Sequence, residues 1–262
     1  MKLIEPTVTI LSYTPNMEKL IERGIRLCYK SEDKITDTSC EEIIPRIMNN
    51  KHFSTLEHSS ITVQIVTDRG VTHEAVRHRV ASFSQESTRY CNYSKGKYNN
   101  ETTVIRPFFF DPNEECKDVM LPSTIYYPFN SGEGTLSEHP THLSGFRLAK
   151  LNSFDVWMIS CLWSEWGYST LTKVFGRSAQ EARTVLPNSL KTEIQITANA
   201  REWIHILNLR TNRDAHPQIR QVMIPVLEEF KKKWPVLFNN IEYENNIKDS
   251  DLAAVTWDSQ YD

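Results

Sequence analysis

The sequence predicts an α+β fold in a single domain spanning residues 1–262, with a small, largely antiparallel sheet packed against long helices. Three observations lead there. Apolar residues recur at helical spacing in several stretches, Ile219, Val222, Val226 and Phe230 being the cleanest set. Other stretches are short and β-branched with period-2 alternation, as in Ile61, Val63 and Ile65. The two kinds are intermixed without a regular βαβ rhythm, which argues against a doubly wound parallel sheet.

Along the chain, residues 7–12 read as a strand. Asn16 is placed to cap a helix carrying Leu20, Ile21, Gly24, Ile25 and Cys28. Asp37 or Thr38 opens a second helix through Ile43, Ile44, Ile47 and Met48, ending near Asn49 and Asn50. Residues 60–67 form a half-buried strand. Gly70 breaks it, and 71–80 resume as a short helix anchored by Val76 and Val80, four apart. Residues 87–94 read as extended. The stretch 95–142 is rich in Asn, Pro, Gly, Ser and Glu, with an apolar insert at 104–110. It reads as a long excursion with some strand, and loops of that length are usually functional.

Residues 143–175 are apolar nearly all round, the mark of a buried central helix. Ser178 with Glu181 makes a capping-box pattern for a short helix ending before Pro187. Residues 192–197 alternate as a strand, and Asn199 with Glu202 repeats the cap pattern for a helix through Trp203, Ile206 and Leu207. Beyond the helix bearing Ile219 to Phe230, the tail from about 243 is polar and acidic and reads as frayed.

Composition bounds the function. Hydrophobic residues make up 39% and charged residues 24% of the 262, ordinary for a chain that buries a core. A net charge of -3 gives no global attraction to nucleic acid or an anionic membrane, so any anion site must be a local cluster of Arg and Lys. The five cysteines, Cys28, Cys40, Cys91, Cys116 and Cys161, are scattered without a CxxC pair. That spacing fits neither a disulfide framework nor a zinc ribbon, and suits reduced thiols in the cytoplasm. Residues 1–6 lack the apolar core of a signal peptide, and no apolar run approaches the ~20 residues of a membrane span. Neither nucleic acid nor membrane is expected as a partner.

The chemistry concentrates between residues 77 and 90. Arg77, His78 and Arg79 on a helix would point about 100° apart and fan over a wide arc, suiting more than one anionic group. On an extended segment, Ser87 and Arg89 would project together, opposite Thr88 and Tyr90. A hydroxyl beside a guanidinium suits a phosphate. Three other readings compete: an ordinary solvated basic face, a metal site and a nucleic-acid surface. The metal site would draw on His52, His58, His73 and His78 with Glu57 and Glu74, but their spacing matches no ligand motif such as HExxH. The nucleic-acid surface would use Tyr90 and Tyr93 for stacking, and the acidic balance argues against it.

The pattern is more specific than a charge run. Arg77-His78-Arg79, seven residues, then Ser87-x-Arg89-Tyr90 resembles the signature of the flavin-dependent thymidylate synthases. Upstream, His52 to His58 resembles that family's histidine–hydroxyl–EH segment. Downstream, Arg183-Thr184-Val185-Leu186-Pro187, Asn199-Ala200-Arg201, Leu207-Asn208-Leu209-Arg210 and His216-Pro217-Gln218-Ile219-Arg220 are similar to its further elements.

The resemblance implies reductive methylation of dUMP to dTMP. FAD is the implied cofactor, with NADPH and 5,10-methylenetetrahydrofolate as co-substrates, in a homotetramer with shared active sites and no cysteine nucleophile. It assigns the flavin to Ser54, Arg77, His78, Arg79 and Gln85, with His52 close to the flavin ring, and to Asn199, Arg201 and His205 from another subunit. It assigns dUMP to Glu74, Arg77, Gln85, Ser87, Thr88, Arg89, Arg183 and Arg210. Arg89 and Arg183 would take the phosphate and Arg210 the uracil edge, so that Arg210, Ser87 and His52 form the catalytic set. No metal is implied. The chain departs from the family at Ser84-Gln85, where many members have Asn-Glu, at Glu74 for a frequent Gln, at Cys28 for Ser and at His205 for Asn. Glu74 would repel a phosphate unless paired, with Arg77 as the candidate partner.

Overall fold

β-Branched alternation builds the centre of the molecule. The computed structural model describes residues 1–122 and 146–258. Its strands are β1 (Lys2–Ile4), β2 (Thr7–Tyr13), β3 (Ile61–Asp68), β4 (Ser82–Gln85), β5 (Thr103–Ile105), β6 (Lys117–Pro122), β7 (Phe146–Leu151), β8 (Lys191–Ala198) and β9 (Ala254–Trp257). The main sheet has the order β4-β8-β3-β2-β9. Every pair in it is antiparallel except β2 with β9. Two small sheets, parallel β1-β5 and antiparallel β6-β7, lie outside it. β3 is central and buries Ile61, Val63, Ile65 and Thr67 on one face and Thr62 and Asp68 on the other.

The helices are α1 (Met17–Tyr29), α2 (Cys40–Asn49), α3 (Arg69–Ala75), α4 (Ser153–Lys173), α5 (Ala179–Ala182), α6 (Ala200–Arg210), α7 (Pro217–Lys233) and α8 (Pro235–Phe238). The expected apolar stripe of α7 is buried throughout, Ile219, Val222, Val226 and Phe230 all being inaccessible. Phe230 meets Trp203 of α6 edge to face at 5.3 Å, and the Trp203 indole donates to the Ile61 carbonyl at 2.9 Å. The α+β class and the largely antiparallel sheet therefore stand as the sequence indicates.

Several local expectations are corrected. Asn16 precedes α1 but sits in the left-handed region and makes no side-chain cap. α2 starts at Cys40, after Ser39, whose hydroxyl is engaged by the Thr36 N–H at 2.8 Å. Gly70 does not break the chain between strand and helix. It lies inside α3, where a Cβ would come within 3.1 Å of Asp68 Oδ1, the atom that caps the helix through the Val71 N–H at 2.8 Å. α3 ends at Ala75, so Val76 and Val80 are exposed rather than anchoring.

Residues 87–94 are turns, not strand, because local bonds win over β propensity. The Ser87 carbonyl accepts from the N–H groups of Tyr90 and Cys91, and Asn92 Oδ1 accepts from the Ser94 N–H. The strand is instead β4, whose Phe83 packs against the core. The helix expected from 143 begins at Ser153, with β7 before it and residues 143–145 outside the described residues. The Asn152–Asp155 capping box fixes that start. Nor is α4 buried: only Cys161 and Tyr168 are inaccessible along its length. Of the excursion at 95–142, residues 123–142 lie outside the described residues.

The tail is not frayed up to Asp258. Buried Arg220 donates to the carbonyls of Thr211 and Glu244 and to Asn246 Oδ1, and Gln221 bonds the Asp251 carbonyl at 2.6 Å. These bonds deliver β9 to the edge of β2, where Trp257 packs against Tyr13 and Trp234.

α3, at seven residues, is too short to persist unaided, since about two turns are far below the stable length of an isolated helix. Its N-terminal cap, Asp68, is buried and also accepts from Gln218 Nε2 of α7, tying the two helices together. Asp68→Ala removes the cap and strands a buried amide. It is expected to cost about 2–4 kcal/mol in urea unfolding monitored by far-UV circular dichroism; a cost below about 0.5 kcal/mol would show that α3 is held by something else.

Candidate functional site

The site is assembled where the C-terminal ends of α3 and α6 meet. Asn199 caps α6 by accepting from the Glu202 N–H at 2.8 Å, and buried Trp203, Ile206 and Leu207 fix which way the helix faces. That leaves Arg201, His205 and Asn208 on the outer stripe and carries Arg210, the last residue, toward α3. The Arg210 guanidinium donates from Nε to His78 Nε2 at 2.9 Å, from Nη1 to Glu74 Oε2 at 3.1 Å and from Nη2 to the Glu74 carbonyl at 3.0 Å. Glu74 therefore pairs with Arg210, not with Arg77. A cation at the end of α3 also suits its partial negative charge.

Arg77-His78-Arg79 follows α3 in turns instead of riding on it, and the three side chains part company. His78 is buried, while Arg77 and Arg79 are exposed and make no ion pair among the described residues. Because Arg210 can only donate, His78 Nε2 must be the acceptor and Nδ1 carries the proton, facing Glu202 Oε1 at 3.8 Å. Burial first, then the neighbouring charges of Arg210 and His205, push the His78 pKa down to about 4. His78 is thus a neutral imidazole at physiological pH.

A pocket of about 670 Å³ opens beside this cluster, lined by Phe53, Glu57, Asn199, Arg201, Ile204 and His205 among others. Its mixture of apolar wall and a few polar groups is that of a cofactor-sized site. Arg201 Nη1 bonds Glu57 Oε1 at 2.6 Å and lies over the Phe53 ring. Asn199, Arg201 and His205 of the expected flavin set line the pocket together. His52, just before the 3-10 turn Phe53–His58 that borders the pocket, and Ser54, on that turn, stand exposed without lining it themselves.

Sequence reasoning missed Glu202, Ile204 and Asn208. Asn208 was detectable, seven residues after Arg201 on the same stripe. His78, Glu202 and His205 have ligand atoms within 4.8 Å of one another, the spacing of a metal cluster. His78 Nε2 is committed to Arg210, and the adjacent guanidinium repels a cation, so these atoms are poorly placed to hold a metal ion.

Of the expected nucleotide residues, Ser87, Thr88 and Arg89 lie on the turn after β4, with Arg183 beside them. Arg183, on the 3-10 turn Arg183–Val185, donates to Thr88 Oγ1 at 3.3 Å, and the Arg89 N–H approaches Ser87 Oγ at 3.3 Å. Ser87 and Arg89 are thus brought together by a turn rather than by strand alternation. The guanidinium groups of Arg89 and Arg183 have no carboxylate partner among the described residues; Arg89 lies only against its neighbour Tyr90.

Gln85 is occupied with structure, donating from Nε2 to Thr72 Oγ1 at 2.8 Å and to Thr192 Oγ1 at 3.2 Å. It thereby ties the nucleotide turn to α3, two residues before Glu74. Glu86, a candidate to supply the missing acidic contact, is held by Lys191 and the Tyr93 hydroxyl, both at 3.1 Å. Cys28 lies exposed on α1.

The depressed His78 pKa has a stability consequence. Between pH 6.5 and about 4 the unfolded chain binds a proton at this position that the folded chain does not. Folding stability through His78 is therefore complete above that window and is lost as pH falls through it. His78→Gln, which keeps an acceptor for Arg210, is expected to flatten the loss of thermal midpoint from pH 6.5 to pH 4. An unchanged slope would mean that His78 is not the titrating group.

Comparison with known proteins places the chain in a family. Residues 9–236 match the family model described as thymidylate synthase complementing protein. A flavin-dependent thymidylate synthase of Corynebacterium diphtheriae is 30% identical over 248 residues, covering 94% of this chain and 86% of the relative. One from Geobacter sulfurreducens is 28% identical over 240 residues, covering 89% and 85%.

Among solved structures, a UMP/dUMP methylase from Streptomyces cacaoi bound with 5-Br dUMP has a TM-score of 0.65 at 22% identity, over 91% of this chain and 96% of that one. The flavin-dependent thymidylate synthase of Helicobacter pylori complexed with FAD and dUMP has a TM-score of 0.63 at 21% identity, over 90% and 99%. At these identities the two structures bear on the fold. On a family match spanning residues 9–236 and a relative 30% identical across 94% of this chain, the chain belongs to the thymidylate synthase complementing protein family, that of the flavin-dependent thymidylate synthases.

Proposed function

We propose that this chain is an FAD-dependent thymidylate synthase that methylates dUMP to dTMP, with 5,10-methylenetetrahydrofolate as one-carbon donor and NADPH as reductant. The observation that carries the reading is the fixed Arg210–His78–Glu74 cluster, whose His78 faces Glu202 and His205 of a cofactor-sized pocket. Family membership and the FAD and dUMP in the Helicobacter pylori structure support the ligand identities. Bound FAD supplies the redox chemistry that joins the NADPH electrons to the one-carbon unit.

The residues of the pocket fit such a ligand. Asn199, Arg201 and His205 supply polar groups for a flavin dinucleotide, and Phe53 and Ile204 an apolar wall. Arg77 and Arg79, exposed and free of ion pairs among the described residues, together with Ser54 would extend the set toward phosphate, and His52 would stand next to the flavin ring. Arg89 and Arg183 bind the dUMP phosphate, aided by the Ser87 hydroxyl and the Thr88 backbone. Arg210 polarises the uracil edge electrostatically. Gln85 holds this turn against α3 and reaches the ligands with its carbonyl oxygen, while Glu74 acts on the nucleotide through Arg210.

No thiolate takes part. Burial pushes the Cys161 thiol up to about 11 and raises that of Cys40, the opposite of an activated nucleophile. In this reading residues 1–262 are one domain of a cytoplasmic protein; no helix of the described residues is long and apolar enough to cross a membrane.

The reading includes a homotetramer with shared active sites. α4 supports it, since Val156, Leu162 and Trp163 are exposed along a helix that is apolar nearly all round. Such a face is expected to be covered by another subunit. Light scattering after size exclusion is expected to give a tetramer for the native chain and a smaller species for Trp163→Glu; a monomeric native chain would rule the shared site out.

For the reaction itself, Arg89→Ala is expected to lower kcat/KM for dUMP by roughly 100-fold or more, the loss of about two charge-assisted bonds. Circular dichroism should be unchanged. Full activity in Arg89→Ala would remove the phosphate assignment, and absence of dTMP from the native protein supplied with all four small molecules would remove the function.

A further inference from the structure

Arg210 has five N–H donors, and three of them are taken by acceptors on residues 74–78. One N–H on each Nη has no acceptor among the described residues. Glu74 contributes twice, by its carboxylate to Nη1 and by its carbonyl to Nη2. His78 adds a third fixed point at Nε and is itself buried against Glu202. Three acceptors around one planar fork set its position and its plane. The Glu74 side chain is one third exposed, so this pair borders the open side of the site rather than the core.

The geometry points to Glu74 as the positioning residue of Arg210: it aims the two remaining N–H groups at the uracil and does not itself bind the nucleotide. This rests on the proposed thymidylate synthesis, in which Arg210 meets the uracil edge. A guanidinium already held in plane needs no reorganisation as charge develops on the ring. The arrangement also resolves a conflict in the sequence. A free carboxylate at 74 would oppose an incoming phosphate, whereas one neutralised by Arg210 does not. Of the three acceptors the Glu74 carboxylate alone holds Nη1, so removing it frees that arm of the fork while His78 and the Glu74 carbonyl keep the other two.

The test compares native protein, Glu74→Ala and Glu74→Gln, each purified and saturated with FAD. In Glu74→Ala, kcat is expected to fall roughly 10- to 100-fold, the rate equivalent of one charge-assisted hydrogen bond, while KM for dUMP moves less than about threefold. Glu74→Gln, whose amide oxygen accepts the same bond, is expected to recover most of kcat, which also separates the effect from misfolding.

A second readout needs no turnover. Phenylglyoxal labelling followed by peptide mapping is expected to modify Arg210 faster in Glu74→Ala than in the native protein. Unchanged kcat in Glu74→Ala, a rise in KM with kcat retained, or equal labelling rates would overturn the assignment. If the native protein makes no dTMP, the proposed function fails, and the labelling rates alone then decide whether Glu74 holds Arg210.

Discussion

A guanidinium at the end of α6, bonded on three sides by the end of α3, is the constraint on which the rest of the site depends. α3 has no stability of its own to offer at seven residues. It is held at its start by Asp68, which reaches Gln218 of α7, on its flank by Gln85 of β4, and at its finish by Arg210. Each of these bonds crosses between elements that the core already fixes. The helix thus acts as a spacer that transmits the rigidity of the sheet and of α7 to the polar cluster. A change at any of the three ties is felt at Arg210.

Charge is distributed to the same end. The chain is acidic overall, with 33 Asp and Glu against 30 Lys and Arg, so most of its basic groups have partners available. Arg77, Arg79, Arg89 and Arg183 nevertheless stay without a carboxylate among the described residues. By contrast Arg210 and Arg201 are paired, with Glu74 and Glu57. Unpaired guanidinium groups suit anionic ligands, and a paired one has a fixed direction. The buried neutral His78 belongs to the second class: its lone pair orients Arg210 without adding a competing charge.

Most of the core was legible in the sequence because it follows from periodicity. β3, β8, α6 and α7 lie where alternation and helical spacing place them, and the caps at Asn199 and Ser178 form as read. The failures have local causes. The turn at 87–94 was read as strand because Ser87 and Asn92 bond nearby backbone groups, which propensity does not weigh. α3 ends early where the Glu74 carbonyl takes the Arg77 N–H and Nη2 of Arg210, 135 residues after Ala75, in place of the His78 N–H that a continuing helix would supply. β9 was invisible as a strand until its partner β2 and the anchors Arg220 and Gln221 were known. In the site, the residue set was legible from the motif, whereas its wiring was not. Nothing in the sequence says that Glu74 meets Arg210 instead of Arg77, or that Glu202 faces His78.

The central claim is that the pocket and the arginine cluster form one site for flavin and nucleotide. It is tested most directly by the visible absorbance spectrum of the purified protein with added FAD, followed by dUMP. The account expects an oxidised-flavin band that stays with the protein through desalting and changes when dUMP is added, because His78, which holds Arg210, also faces the pocket residues Glu202 and His205. A protein that remains colourless in excess FAD, or a bound flavin whose spectrum ignores dUMP, would contradict it.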